Sequence, residues 1–344
     1  MKTKVLHIIP DQDTDVVVQQ VLVLHKNMIA DFEVLIPTGS QLKQLKQLFK
    51  SNGVPCVAYA GMPDIKKAIK QAAPDIVHTH TSHEHRIVAH KMGKIKTVHT
   101  QHSAVSVGFF SKLLSGRLSD AVIATTKEAR ESLLQMGTSM QRIHMIYNCV
   151  AAMEKCDDEN KLRRQYKIPD GTFVVTCFAN QNAESKLEIV LDAAKELPYN
   201  VIMVIAGVDD EHKQILEARV RDENLQNVRI FGEIKKINEL ISVTSAQIVF
   251  DVACHQLLFT CMSAGKPAIV TNDFDHYIIQ DKVSGLIIPV FGAEELDDAV
   301  TRLKENPQLY KDLSTGALSH YNNRFSIQRM IREIEEVYRS IKKV

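Results

Sequence analysis

Short apolar runs rich in β-branched residues alternate along this chain with longer segments in which apolar positions recur every three or four residues. The first pattern fits buried parallel strands and the second fits amphipathic crossover helices, so the alternation predicts an α/β protein. Strands are expected at Lys4 to Ile9, Phe32 to Ile36, Pro55 to Tyr59, Ile76 to Thr79, Lys96 to Thr100, Ala121 to Ala124 and Ile143 to Ile146. Helices fall between them at Asp15 to Asn27, Gln41 to Asn52, Met62 to Ala73 and Thr126 to Met136. A second series begins near Thr172, with strands at Phe173 to Phe178, Asn200 to Ala206, Val228 to Phe231, Gln247 to Asp251 and Pro267 to Val270. The polar stretch Ala151 to Asp170 between the series reads as a linker with a short helix. After Asn306 the chain turns helical. There Met330, Ile331, Ile334, Val337, Tyr338 and Ile341 form an apolar stripe that needs a groove to cover.

Length agrees with this division, because 344 residues suffice for two domains that each bury a core. Charge adds little: 42 Lys plus Arg stand against 41 Asp plus Glu, so no global field selects nucleic acid or an anionic membrane. The six cysteines lack CxxC spacing and mostly sit in apolar runs, which points to a reducing, cytoplasmic setting. The first residues, MKTKVLHIIPDQD, carry too short an apolar run for a signal peptide, and no window reaches the length of a membrane span.

Several blocks together resemble the glycosyltransferases of family 4. They are PDIVHTH at Pro74 to His80, TVHTQHS at Thr97 to Ser103, and Ser119 to Val150, which ends in Asn148-Cys149-Val150 where the family has Asn-Gly-Val. The similarity continues through VIAG at Val204 to Gly207, VRIFGE at Val228 to Glu233, Gly265 to Pro267, and SGLIIP at Ser284 to Pro289. It covers nearly the whole chain and implies the GT-B fold: two Rossmann-like domains with a cleft between them and a C-terminal helix crossing back to the first. The expected domains are 1–165 with the helix 326–344 on the acceptor side, and 166–325 on the nucleotide-sugar side.

His102 follows the strand Lys96 to Thr100, where strand C-terminal edges line the ligand crevice of open α/β sheets. It matches the family's cleft histidine, which contacts the donor sugar, and is the expected catalytic residue. His80 holds the analogous place after its own strand. His78, His80, His83, His85, His90, His99 and His102 crowd one region, and His78 and His80, two apart on a strand, share a face. A metal-dependent hydrolase is one reading of that run. Only Glu84 adds a carboxylate, however, and no metal site is expected.

On the donor side the resemblance implies an arginine and a lysine after the first strand of the second domain, neutralising the diphosphate. Asn180 and Ser185 occupy those places, with Lys186 displaced by one residue, which turns its side chain away unless the helix start shifts. Lys186 otherwise reads as a solvated helix residue. The family's two glutamates are also missing: Thr260 replaces the ribose ligand, and Ala253-Cys254-His255-Gln256 stands as a shortened loop for the other. Thr260 can still hydrogen-bond, without the charge. The first turn, Pro10 to Asp15, lacks the family's glycines, and Asp13 or Asp15 is expected to cap the following helix.

Two segments fit interfacial helices as well as ordinary half-buried ones. Gln41 to Lys50 sets Leu42, Leu45, Leu48 and Phe49 beside Lys43, Lys46 and Lys50, while Phe109, Phe110, Leu113 and Leu114 lie near Lys112 and Arg117.

The expectation is a retaining glycosyltransferase that moves a sugar from a nucleotide-sugar, a UDP-sugar, to a glycan, lipid-linked or protein acceptor. The resemblance implies no required cofactor or metal. The donor would meet Asn180, Lys186, Thr260 and backbone amides near Gly207 and Gly232, and its sugar would face His102. The setting would be cytoplasmic with peripheral contact at the inner membrane face. The lost donor-side charges leave an alternative: a catalytically inactive GT-B protein serving as an acceptor-binding scaffold or as a chaperone for a partner glycosyltransferase.

Overall fold

A computed structural model describes residues 2–10, 14–80, 95–104, 119–154, 156, 158–179, 184–250, 255–289 and 292–342. The chain forms two compact units, the first built from Met1–Asn148 with Ile327–Val344 and the second from Cys149–Ser326.

The first unit holds a seven-stranded parallel sheet. In chain order the strands are β1 (Thr3–Ile8), β2 (Ala30–Pro37), β3 (Cys56–Tyr59), β4 (Ile76–Thr79), β5 (Lys96–Gln101), β6 (Ala121–Ala124) and β7 (Ile143–Met145). Their spatial order is β3-β2-β1-β4-β5-β6-β7, so β1 and β4 are neighbours and the topology reverses between them. All seven were expected from apolar runs, with ends displaced by a residue or two. Side chains alternate across the sheet. Leu6, Ile8 and Val77 pack under the helix Met62–Ala72, which buries Ile65, Ala68, Ile69 and Ala72. On the other face the last helix, Ile327–Lys342, buries all six residues of its expected stripe.

The helix Leu42–Ser51 covers the sheet edge with Leu45 and Phe49, which pack with Val34, Ile36 and Val17. Its apolar face is therefore occupied by packing in this unit, and its exposed side carries Lys43, Lys46 and Lys50 among Gln44, Gln47 and Ser51. The segment containing Phe109 to Leu114 lies outside the described residues. Among the described residues no helix is long and apolar enough to cross a membrane.

The second unit holds a six-stranded parallel sheet in the order β10-β9-β8-β11-β12-β13. Its strands are β8 (Phe173–Phe178), β9 (Val201–Ala206), β10 (Val228–Phe231), β11 (Ala246–Ile248), β12 (Ala268–Thr271) and β13 (Gly285–Ile288). The strand pattern omitted β13, because four residues that open on a glycine carry a weak signal. That glycine has a packing reason, since a Cβ on Gly285 would overlap the carbonyl of Ala268 on β12.

The division between units falls at Asn148 and Cys149, ahead of the expected 165. The short helix Glu159–Gln165 belongs with the second unit because Leu162, Tyr166 and Ile168 are buried with Val174, Phe178 and Ile241. The polar surface of that segment suggested a linker, while its three apolar residues decide where it packs.

Candidate functional site

Each unit contributes one cluster of candidate functional groups. In the first, parallel register sets His7 of β1 beside His78 of β4. The two-residue period of a strand then carries His80 to the same face, as it carries Thr100 and His102 on the neighbouring strand. His7, His78 and His80 are buried, and His102 is partly so.

Hydrogen bonds link nearly all these rings. His7 Nδ1 lies 3.1 Å from His80 Nε2, His80 Nδ1 lies 3.1 Å from His102 Nε2, and His102 Nδ1 lies 3.2 Å from the amide Nδ2 of Asn148. The His7 and His80 rings stack with centres 5.3 Å apart, and those of His80 and His102 with centres 5.4 Å apart. His78 stands beside this series with its own partners, Nδ1 2.6 Å from the Tyr338 hydroxyl and Nε2 2.7 Å from Thr100 Oγ1. His99 belongs to the opposite face, where Nδ1 meets Thr79 Oγ1 at 2.9 Å.

Burial strips water from these imidazoles and opposes their charging. The pKa of His7 is pushed down to about 3 and that of His102 to about 4. His78 and His80 are held well below the usual histidine range by burial first and then by the neighbouring histidines. At neutral pH the cluster is a set of neutral rings, each with one N–H and one lone pair.

His7, His78 and His80 bring one ligand atom each within 4.8 Å of one another. Both ring nitrogens of His78 and of His80 already have hydrogen-bond partners, and the three described members include no carboxylate. A metal ion there would have to displace those bonds. His83, Glu84, His85 and His90 lie outside the described residues.

In the second unit a cavity of about 370 Å³ opens at the C-terminal edges of β8, β9 and β10. Its wall includes Phe178, Ala179, Leu187, Gly207, Asp209 and Glu233. Gly207 ends β9 with φ +91°, and a Cβ there would stand 3.3 Å from the Ala179 carbonyl oxygen. Its amide donates to the carbonyls of Phe231 and Gly232, both at 3.1 Å, so Gly207 supplies room at this edge and its N–H is spent. That corrects the expectation of an amide at Gly207 free for phosphate. Asp209 caps the helix Asp210–Asp222 by accepting the His212 N–H at 2.9 Å, which holds its carboxyl below the usual range.

Lys186 departs from its reading as a solvated side chain. The helix Glu184–Glu196 starts only two residues earlier, and Lys186, partly buried, donates from Nζ to the Phe250 carbonyl at 3.1 Å. Leu187, the next residue, lines the cavity. Thr260 on the helix His255–Ser263 donates its hydroxyl back to the Gln256 carbonyl at 2.8 Å, leaving only its oxygen lone pairs as acceptors. Asn180 lies outside the described residues, as do residues 251–254 and 11–13. Thus Gly207 is in the cavity wall with Gly232 bonded behind it, while Lys186 and Thr260 are not among the lining residues. His7 was missed by the sequence reading, although a histidine inside the apolar run KVLHII was its visible signal.

Two parallel α/β sheets, each with its ligand-type edge at strand C-termini, define a GT-B protein. Residues 31–152 match the Glycosyltransferase Family 4 model and residues 158–320 match that of Glycosyl transferases group 1, and the chain belongs to this family of GT-B glycosyltransferases. It is 25% identical over 244 residues to an α-D-kanosaminyltransferase of Streptomyces kanamyceticus, a match spanning 65% of this chain and 61% of that protein. In structure it resembles a glycosyltransferase from Rickettsia africae, with TM-score 0.83, 16% identity and 99% of each chain covered. It also resembles Anabaena HepE solved in complex with UDP, with TM-score 0.79, 17% identity and 99% and 100% of the two chains covered.

Proposed function

We propose that this chain transfers a sugar from a UDP-sugar to a glycan, lipid-linked or protein acceptor, with retention and without a required metal. The observation that carries the reading is the cavity at the β8–β10 edge, with Gly207 opening its wall and Lys186 in the first turn of the helix that contributes Leu187. As the sugar–phosphate bond breaks, negative charge grows on the leaving diphosphate. A fixed cation and a helix N-terminus favour that charge in the transition state more than in the ground state. HepE has been solved with UDP-glucose as well as with UDP, which supports the choice of nucleotide. Asp209 and Glu233 would repel a phosphate, and they suit the hydroxyl or N–H donors of a nucleoside.

His102 is assigned to the donor sugar. With its pKa near 4 it is neutral at pH 7, so it serves as a hydrogen-bonding group and not as an acid. Peripheral contact with an anionic inner membrane face would rest on attraction to Lys43, Lys46 and Lys50, since the apolar side of their helix is covered.

Thermal unfolding with UDP, UDP-sugars and other nucleotides tests the reading. A ligand at a hundred times its dissociation constant adds about 2.7 kcal/mol of stability. Stabilisation by UDP-sugars is expected, with transfer surviving a chelator. Absence of a shift with every nucleotide would overturn the donor assignment.

A further inference from the structure

The series Asn148–His102–His80–His7 has a direction. An amide nitrogen only donates, so Nδ2 of Asn148 facing His102 Nδ1 makes that nitrogen the acceptor. A neutral imidazole accepting at Nδ1 carries its proton on Nε2, and His102 Nε2–H therefore donates to His80 Nδ1. The same step repeats, with His80 Nε2–H donating to His7 Nδ1 and leaving the His7 proton on Nε2. The two atoms without a partner among the described residues lie at the ends of the series: Asn148 Oδ1 and His7 Nε2.

Any ring that changed tautomer by itself would set two N–H groups, or two lone pairs, face to face at about 3.1 Å. The three rings therefore change together or not at all. Burial, which keeps each ring neutral, removes the escape of a doubly protonated link.

We propose that Asn148 sets His102 as its Nε2–H tautomer and that His80 and His7 are positioning residues locked to the same choice, so that a ligand hydroxyl displacing the amide meets a lone pair at Nδ1, and not an N–H, unless all three rings turn over together. The inference rests on the reading of His102 as the residue facing the donor sugar. It deepens that reading by stating which hydrogen-bond role His102 plays, which residue sets it and which buried rings are locked to it. Were His102 in the opposite tautomer, the same hydroxyl would have to accept, and donor recognition would change sign at that position.

The test is the nitrogen spectrum of protein labelled with 15N-histidine, recorded near pH 7.5. In the wild type, His102, His80 and His7 are all expected to show a pyrrole-type Nε2 and a pyridine-type Nδ1. Asn148→Asp places an ionised carboxylate, which only accepts, against His102 Nδ1. The proton should then sit on Nδ1 in all three rings. If that variant does not fold, Asn148→Ala removes the amide that donates to Nδ1 and should leave all three rings as mixtures of tautomers in the same proportion, with the donor's apparent affinity reduced about twofold at equal populations.

Mixed tautomers in the wild type, or an Asn148→Asp change confined to His102, would overturn the proposal. So would His102 keeping one tautomer in Asn148→Ala, or zinc bound at His7 and His80 in the purified protein. The spectra report the tautomer whether or not sugar is transferred. A failure here is therefore separate from a failure of the donor assignment, which the nucleotide stabilisation reads.

Discussion

Lys186 Nζ is 3.1 Å from the carbonyl oxygen of Phe250 and 5.9 Å from the centre of the Phe250 ring. The lysine is thus tied to the end of the central strand segment beside β8, with a hydrogen bond that leaves two ammonium protons for another acceptor. Replacing it by methionine keeps the stem and removes the charge. The expected result is a fall in kcat/KM of about a hundredfold to a thousandfold, the usual cost of deleting one fixed transition-state partner. The melting temperature of the free protein should change little, whereas its rise with UDP should shrink. Unchanged transfer kinetics would remove Lys186 from the site.

Acid should destabilise the first unit through its histidines. Their folded pKa values are depressed, so the unfolded chain binds protons first, from about 6.5 downward. Stability is full above that value and is lost as pH falls toward about 4 for His102 and about 3 for His7. Each histidine contributes up to about 1.4 kcal/mol per pH unit in that window. Urea titrations at pH 7.5 and 5.5 should show a lower midpoint at the acid value, and His7→Phe should reduce the difference. Equal midpoints would contradict the depressed values.

Tyr338→Phe deletes the hydroxyl that meets His78 Nδ1 and leaves a buried ring nitrogen without its partner. The expected loss is about 1–3 kcal/mol, with part of it recovered when His78 is also replaced by an apolar residue. A double-mutant cycle on urea midpoints measures the coupling, and strict additivity would show that the bond contributes nothing.

Gly316 lies inside the helix Pro307–Arg324, where alanine would ordinarily stabilise by about 1 kcal/mol. Here a Cβ would overlap the Val283 carbonyl. Two backbones must part, and a net destabilisation of about 1–3 kcal/mol is expected for Gly316→Ala. Chemical denaturation decides the sign.

The sheets were legible in the sequence because buried parallel strands announce themselves as apolar runs, and the last helix because its stripe keeps a helical period. The donor-side losses at Asn180, Ser185 and Thr260 were legible as residue types. What Lys186 does was not, since a hydrogen bond to Phe250 depends on where the intervening chain brings strand and helix together. His7 was hidden for a similar reason: its meeting with His78 is a matter of strand register between β1 and β4, separated by three helices and two strands in the sequence. The histidine pairs at 78 and 80 showed a shared face, but only the fold adds the third strand to it.

The first unit takes its final helix from residues made after the whole second unit. On a ribosome adding about 5–20 residues per second, its sheet waits roughly ten to forty seconds for Met330, Ile334 and Tyr338. During that interval the nascent sheet lacks one cover of its apolar face, and His78 lacks the phenol that completes its bonding. Emergence of that helix, more than early synthesis, is then the moment at which this half becomes native, and shielding by a chaperone would matter most just before it.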